Sequence, residues 1–470
     1  VVRQMARMDM PSQRSPMTSA LLAVVSLFIL AIILALCDFV KLHSNLVHDI
    51  NVYDSVIAWK VENMSETAVP FENPYRPGAG HMPPHLAGRH LEYEEFDQLL
   101  DQTIILENLV LTGLRGVGKT VLLETFKPRA MKKGWLWAGT DMTESAMVSE
   151  AMLATRILAD LALITSSMTI ESPAEPQMGF GKPSNPIQVP LNYDVLVSVY
   201  NSTPGLISDK IKAVLEFAWH HLQGQPKRRV VFAYDEAQNL SDNAASDQFP
   251  LSVLLDVFQS IQKKGIPFML VLTGLPTLFP KLVEARTYSE RMFRVVTVSR
   301  LSETESREAI MVPIRKENCP VQFSDESIEI ICREADGYPY FIQFICREVY
   351  DVWIQQIAND EQPSVPVDAI QRKLDTDFFA GRWAKVADRQ RQLLWVISGL
   401  DHPEEEFTIQ ELSTRSHELL AKGFNPSQIS QMLVRLGEQG LVYKNRFGKY
   451  TFAVPLLGQF IRRNYVPPSE

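Results

Sequence analysis

Gly113-Leu114-Arg115-Gly116-Val117-Gly118-Lys119-Thr120 fits the pattern G-x-x-x-x-G-K-[ST]. Glycines at 113, 116 and 118 admit backbone conformations closed to other residues, so successive N–H groups can point into one concavity and hold phosphate oxygens at a helix N-terminus. Lys119 would place a point charge between the β- and γ-phosphates of a nucleotide, and the Thr120 hydroxyl would coordinate Mg²⁺. The expected contacts are these eight residues and Val121, which opens the helix-prone run that follows.

A metal-side carboxylate should stand on a neighbouring strand. Arg229-Val-Val-Phe-Ala-Tyr-Asp235-Glu236 supplies it, because Val230 to Tyr234 reads as a strand buried on both faces of a parallel sheet. Asp235 would hold Mg²⁺ together with Thr120, and Glu236 would orient and deprotonate the attacking water. Alone, an Asp-Glu pair after an apolar run is commonly a helix cap; the phosphate loop changes that assignment.

These groups need a scaffold. Strands at Leu109 to Thr112, Gly134 to Ala138, Val230 to Tyr234 and Pro267 to Thr273 alternate with helices at Leu91 to Leu100, about Glu144 to Leu163, Ile207 to His221 and Leu255 to Gln262. This alternation predicts an α/β fold, a doubly wound parallel sheet of the P-loop NTPase kind with ligands at the carboxyl ends of its strands. Ser172 to Pro190, rich in proline, is expected as a loop. The segment Leu278 to Arg300 carries Arg286, Arg291, Arg294 and Arg300. Helices at Glu305 to Ile314, Ser324 to Ala335 and Tyr340 to Ile354 have the place and size of a lid. The expected divisions are residues 1–63, 64–300, 301–380 and 381–470.

The last of these divisions reads as a winged helix-turn-helix: helices at Arg389 to Ser398, Thr408 to Arg415 and Asn425 to Leu436, then a hairpin within Leu441 to Ala453. From Pro426 onward six basic residues face two acidic ones in a chain of net charge -9. Ser427, Gln428, Gln431 and Arg435 on the third helix and Lys444, Arg446 and Lys449 on the wing are the candidate contacts to double-stranded DNA. Winged helices also bind proteins, so a protein partner is the alternative.

The acidic composition, with a pI near 5.6, excludes a uniformly basic nucleic-acid coat. Cys37, Cys319, Cys332 and Cys346 lack metal-ligand spacing and read as thiols of a reducing compartment. Ala20 to Cys37 is an uncharged stretch of 18 residues, about 27 Å as a helix and long enough with its flank to span a bilayer. Arg3, Arg7 and Arg14 before it would keep the N-terminus cytoplasmic and place the phosphate loop outside, away from ATP. Three resolutions fit: reversed insertion, a signal sequence, or a working protein that begins near Met64. The expected location is cytoplasmic, with an inner-membrane anchor if the helix is real.

From Asn73 to Arg463 the chain resembles bacterial ATP-binding proteins whose AAA+ domain is similar to that of the origin-recognition initiators, with a C-terminal winged helix. The carriers are Tyr75-Arg-Pro-Gly-Ala-Gly80, Leu86-Ala-Gly-Arg89, the phosphate loop, Asp235-Glu-Ala-Gln238 and Phe378-Phe-Ala-Gly-Arg-Trp383. The resemblance implies ATP and Mg²⁺ as cofactors, slow hydrolysis, and nucleotide control of DNA association through homo-oligomers. It places the adenine at the turn before the first helix, a polar sensor at Thr273, and an arginine finger in the 278–300 segment, where Arg291 is the first candidate and Arg294 the second. One departure stands out: Tyr340 occupies the position where related lids start with a sensor arginine. Three functions follow as expectations: an ATP-switched DNA-binding ATPase, a membrane-tethered NTPase regulating a protein complex, and a nucleotide-binding scaffold with negligible catalysis.

Overall fold

The computed structural model describes residues 72–78, 80–142, 149–172, 187–315, 319–400, 406–445 and 448–468. The Ala20 to Cys37 stretch, Met64 and Arg446 lie outside them. Among the described residues no helix is long and apolar enough to cross a membrane. The expected transmembrane helix is corrected accordingly, since no described helix has that character.

The core begins with α1 (His90–Leu100), β1 (Asn108–Thr112), α2 (Lys119–Lys132), β2 (Trp135–Ala138) and α3 (Glu150–Thr165). A hairpin of β3 (Thr169–Ser172) and β4 (Ile187–Pro190) leads to α4 (Tyr193–Ser202), α5 (Ile207–Leu222) and β5 (Arg229–Tyr234). Then come α6 (Pro250–Lys263), β6 (Phe268–Gly274), α7 (Leu278–Ala285), α8 (Ser289–Met292) and β7 (Phe293–Thr297). Strands β2, β5, β6, β1 and β7 form, in that order, one parallel sheet. Every residue of β1 and β6 is buried, as is β5 after Arg229, which is why these strands read as continuous apolar runs.

Two features set the register. Asn108 and Gln262 exchange side-chain hydrogen bonds of 3.1 and 2.8 Å, and Asn108 Oδ1 also accepts from Leu270 N–H at 2.7 Å, tying the start of β1 to α6 and β6. Leu111 then pairs with Thr273 and Tyr234 with Leu272. The carboxyl ends of β1, β5 and β6 therefore finish side by side.

Four helices follow: α9 (Glu303–Met311), α10 (Asp325–Ala335), α11 (Pro339–Ala358) and α12 (Val367–Leu374), the last running on through a π-helical turn at Asp375–Ala380 and a turn at Gly381–Trp383. The C-terminal unit comprises α13 (Asp388–Ser398), α14 (Ile409–Leu419), α15 (Pro426–Glu438), β8 (Val442–Lys444), β9 (Tyr450–Phe452) and α16 (Leu457–Asn464). Phe407 bridges to Tyr450 as a third strand, with both backbone hydrogen bonds at 2.8 Å. Helix α15 begins on an Asn425 cap with Pro426 in the first helical position.

Several elements differ from expectation. The ends of the 172–190 stretch pair as the β3–β4 hairpin, from Thr169 opposite Pro190 to Ser172 opposite Ile187. Segment 278–300, read only for its arginines, contains β7, an edge strand whose burial alternates. Helices α4 and α16 were not anticipated.

Gly139, just past β2, has φ +123°, and a Cβ there would lie 1.9 Å from the Ala233 carbonyl oxygen of β5. G139A should therefore cost more than about 2 kcal/mol, combining a disallowed φ with a backbone collision. Urea unfolding measures it; an unchanged midpoint would contradict the approach of β2 to β5.

Candidate functional site

The loop after β1 turns through Gly116 (φ 80°) and Gly118 (φ 90°), conformations that side chains disfavour, and delivers Lys119 as the first residue of α2. Gly113 serves differently: a Cβ there would meet the Val298 carbonyl oxygen at 2.4 Å. Arg89, buried before α1, donates to the Val117 carbonyl at 2.8 Å and to the Ser299 carbonyl at 3.0 Å, so the Leu86-Ala-Gly-Arg89 motif pins the loop to the strand ends.

Lys119 is 9% exposed, and its ammonium donates to the Gly113 and Leu114 carbonyls at 2.9 and 2.8 Å. Burial pushes its pKa down to about 8; Glu236 and Asp235 pull it up, and Arg115 presses it further down.

At the end of β5, Asp235 Oδ2 accepts from the Thr120 hydroxyl at 2.6 Å, and Oδ1 accepts from Glu236 N–H at 2.8 Å. Burial, the largest influence, raises the Asp235 pKa against both hydrogen bonds. Glu236 has φ 51°, strain of a kind that clusters at functional sites, and its carboxylate faces the cleft and accepts from the Gln238 amide. Gln238 in turn accepts from Leu275 N–H at 3.1 Å, linking Glu236 to the loop after β6. The Thr273 hydroxyl is fully buried with no hydrogen-bond partner among the described residues. An orphaned hydroxyl beside a Thr–Asp pair and a buried ammonium fits a metal-bound polyphosphate in this place.

Of these groups, Arg89, Lys119, Thr120 and Glu236 line a cleft of about 280 Å³, while Asp235 and Thr273 lie outside its lining and Asp235 meets it through Thr120. One wall is the phosphate loop with Thr120 and Val121, and another is the turn from Arg76 to Arg89. A third comes from Tyr340 on α11 and from Phe378 and Arg382 in the π-helical turn and its extension. Tyr340 N–H donates to the Gly116 carbonyl at 3.2 Å, so the lid meets the loop through its backbone. The leading segment is fastened to the same lid: Tyr75 is buried with its hydroxyl on the Ile310 carbonyl, and Arg76 N–H donates to Gln343 at 3.1 Å.

Not every expected residue lines this cleft. Leu114 faces the C-terminal unit instead, and its contribution is the carbonyl that Lys119 uses. Arg294 is engaged by Glu95 and Glu107, Arg286 by Asp256 and Arg300 by Asp336, whereas exposed Arg291 has no ion pair among the described residues. In the C-terminal unit, Ser427, Gln431, Arg435 and Lys444 are exposed. Gln428 closes a capping box with Asn425, and Lys449 lies 3.9 Å from Glu406, so both are partly committed. Arg462 and Arg463, counted above in the basic surplus, bond to the Ser398 carbonyl and to Asp375. Sequence reasoning gave no site role to Arg89, Gln238 or Arg382, although each stands in a motif that carried the resemblance.

Residues 376–461 match a domain of unknown function (DUF8462). No curated protein sequence matches the chain. Among solved structures it is similar to the Walker-type ATPase PABY2304 of Pyrococcus abyssi, with TM-score 0.51 and 14% identity over 80% of this chain and 96% of that one. The chain has the P-loop ATPase fold. The ORC2 protein of Aeropyrum pernix in its ADPNP–ADP complexes gives TM-score 0.48 at 13% identity, over 82% of this chain and 96% of that one. The RuvB Holliday junction branch migration motor of Thermotoga maritima gives 0.38 at 13%, over 81% and 96%.

The depressed Lys119 pKa has a signed consequence. With a free-protein pKa near 8 and an unfolded value of 10.5, the folded nucleotide-free protein holds less proton here than the unfolded chain between those pH values. A bound polyanion restores the charge, so binding should take up close to half a proton at pH 8, and affinity should fall as pH rises further. Calorimetry of ATP binding in two buffers of different ionisation enthalpy measures this; binding by wild type without proton uptake at pH 8, or with uptake that does not rise as pH approaches 8 from below, would contradict it.

Proposed function

We propose that this chain is an ATPase that binds ATP with Mg²⁺ in the cleft and uses nucleotide state to control DNA binding by its C-terminal unit. The observation that carries the first half is the 2.6 Å contact of Thr120 Oγ1 with Asp235 Oδ2, because it brings together, from the start of α2 and the end of β5, the two metal-side oxygens that a P-loop hydrolase requires. Mg²⁺, when bound, supplies charge neutralisation to the phosphates. The chain supplies the rest. N–H groups of the glycine loop and the Lys119 ammonium bind phosphate oxygens. Glu236, held through Gln238, accepts the proton of the attacking water, and the Thr273 hydroxyl orients it from the end of β6. The Arg76 to Arg89 turn holds the base.

Arg291 is the trans arginine of this proposal, since its guanidinium is exposed and outside the ion pairs that engage Arg286, Arg294 and Arg300. Duplex DNA is supported by the exposed row Ser427, Gln431 and Arg435 on α15 with Lys444 beside it on the hairpin.

Phosphate release in full-length protein tests hydrolysis. K119A should lose ATP binding, while E236Q should keep it and turn over about 100-fold more slowly or less; a rate unchanged in E236Q would reduce the protein to a nucleotide-binding scaffold. For the C-terminal unit, R435E with K444E should weaken duplex binding and lower the salt dependence by about one to two phosphate contacts. Equal affinity and slope would assign this face to a protein partner.

A further inference from the structure

The cleft collects cations that the site described above does not need. Setting aside Arg89, which pairs with Glu92, its walls carry Arg76, Arg115, Lys119 and Arg382 against the single carboxylate of Glu236. Arg382 is the least expected of these, because it belongs to neither the sheet nor the lid. It sits just after the π-helical turn Asp375–Ala380, where the chain leaves α12 for the C-terminal unit. Its guanidinium lies over the Phe378 ring, 4.4 Å from the centroid, and donates to the Phe378 carbonyl. It has no ion pair among the described residues. Its charged neighbour is another arginine, Arg115 of the phosphate loop, which together with burial presses its pKa down. Arg115 and Arg382 line the same cleft with no ion pair for either among the described residues, a repulsive arrangement that a multivalent anion bound in the cleft relieves.

We propose that Arg382 is a phosphate ligand of the bound nucleotide, supplied from the C-terminal junction to the wall where the lid places the Tyr340 phenol and no cation. This inference rests on the nucleotide reading above. The geometry makes the arginine a lever as well as a ligand. Tyr340 and Phe378 rings stand 5.5 Å apart, so lid and turn form one aromatic wall. Behind it Phe379 stacks on Phe460 of α16 at 5.0 Å, and Asp375 accepts from Arg463 at 2.6 Å and from Asn464 at 2.7 Å. An anion that binds Arg382 therefore pulls on a turn clamped to the last helix of the C-terminal unit. Wide π turns recur at functional sites for this kind of side-chain placement. Coupling of this sort is reciprocal: whatever factor ATP applies to the C-terminal unit's affinity, the unit's ligand applies to ATP.

Calorimetric titration of the full chain with Mg²⁺-ATP tests the assignment, using wild type, K119A, R382A and R382K. Loss of a charge-assisted hydrogen bond should weaken ATP binding in R382A by about 10- to 100-fold, with part of it recovered in R382K. Thermal midpoints without nucleotide should stay together, which a merely structural arginine would not allow. Should R382A fail to fold, R382Q keeps the stem over Phe378 and carries the same expectation. ATP binding within threefold of wild type in R382A, or in R382Q, alongside lost binding in K119A, overturns the role of Arg382 and leaves the nucleotide site standing. Wild type that binds no ATP overturns the underlying reading, and this one with it.

Discussion

A positive charge buried at the end of a parallel sheet is the constraint around which the rest is arranged. Lys119 can stay there because two loop carbonyls accept from it and two carboxylates stand near it. Each support has its own requirement. The carbonyls turn inward only with the loop wound through Gly116 and Gly118 and held by Arg89. The carboxylates arrive only because β5 lies next but one to β1, with β6 between them. Even so the ammonium is incompletely compensated, as its lowered pKa shows, and an uncompensated buried cation attracts a polyanion.

The same logic extends outward from the loop. Tyr340 closes on Gly116 by a backbone hydrogen bond, so the lid needs no arginine to meet the loop. The cationic contribution on that side comes from the junction instead, and the junction is packed against α16. Core, lid and junction thus meet at one cleft, and the junction is packed against the C-terminal unit. The proposed nucleotide switch would act in this way, through differential contact with the elements that must move.

Much of this was legible in the sequence, for identifiable reasons. The phosphate loop and the β5 carboxylate were legible because local geometry dictates residue type: glycines for left-handed backbone, a continuous apolar run for a strand buried on both faces. Strand β7 escaped because an edge strand buries alternate residues, and Phe293-Arg-Val-Val-Thr297 reads as a charged surface once its arginine is noticed. The β3–β4 pairing escaped because prolines at 173 and 190 argue against a strand unless it is short and at an edge. Arg382 had a visible motif and no visible role, since only the π-helical turn brings it from a linker into the cleft. The basic surplus at the C-terminus was overcounted, because Arg462 and Arg463 serve internal partners that composition does not reveal.

Hydrogen exchange of the full chain with and without Mg²⁺-ATP tests the shared cleft most directly. The account predicts slowed exchange in three separate stretches at once: residues 113–121, the turn at 76–89, and the junction at 375–384. Protection confined to the phosphate loop, with the junction unchanged, would contradict it.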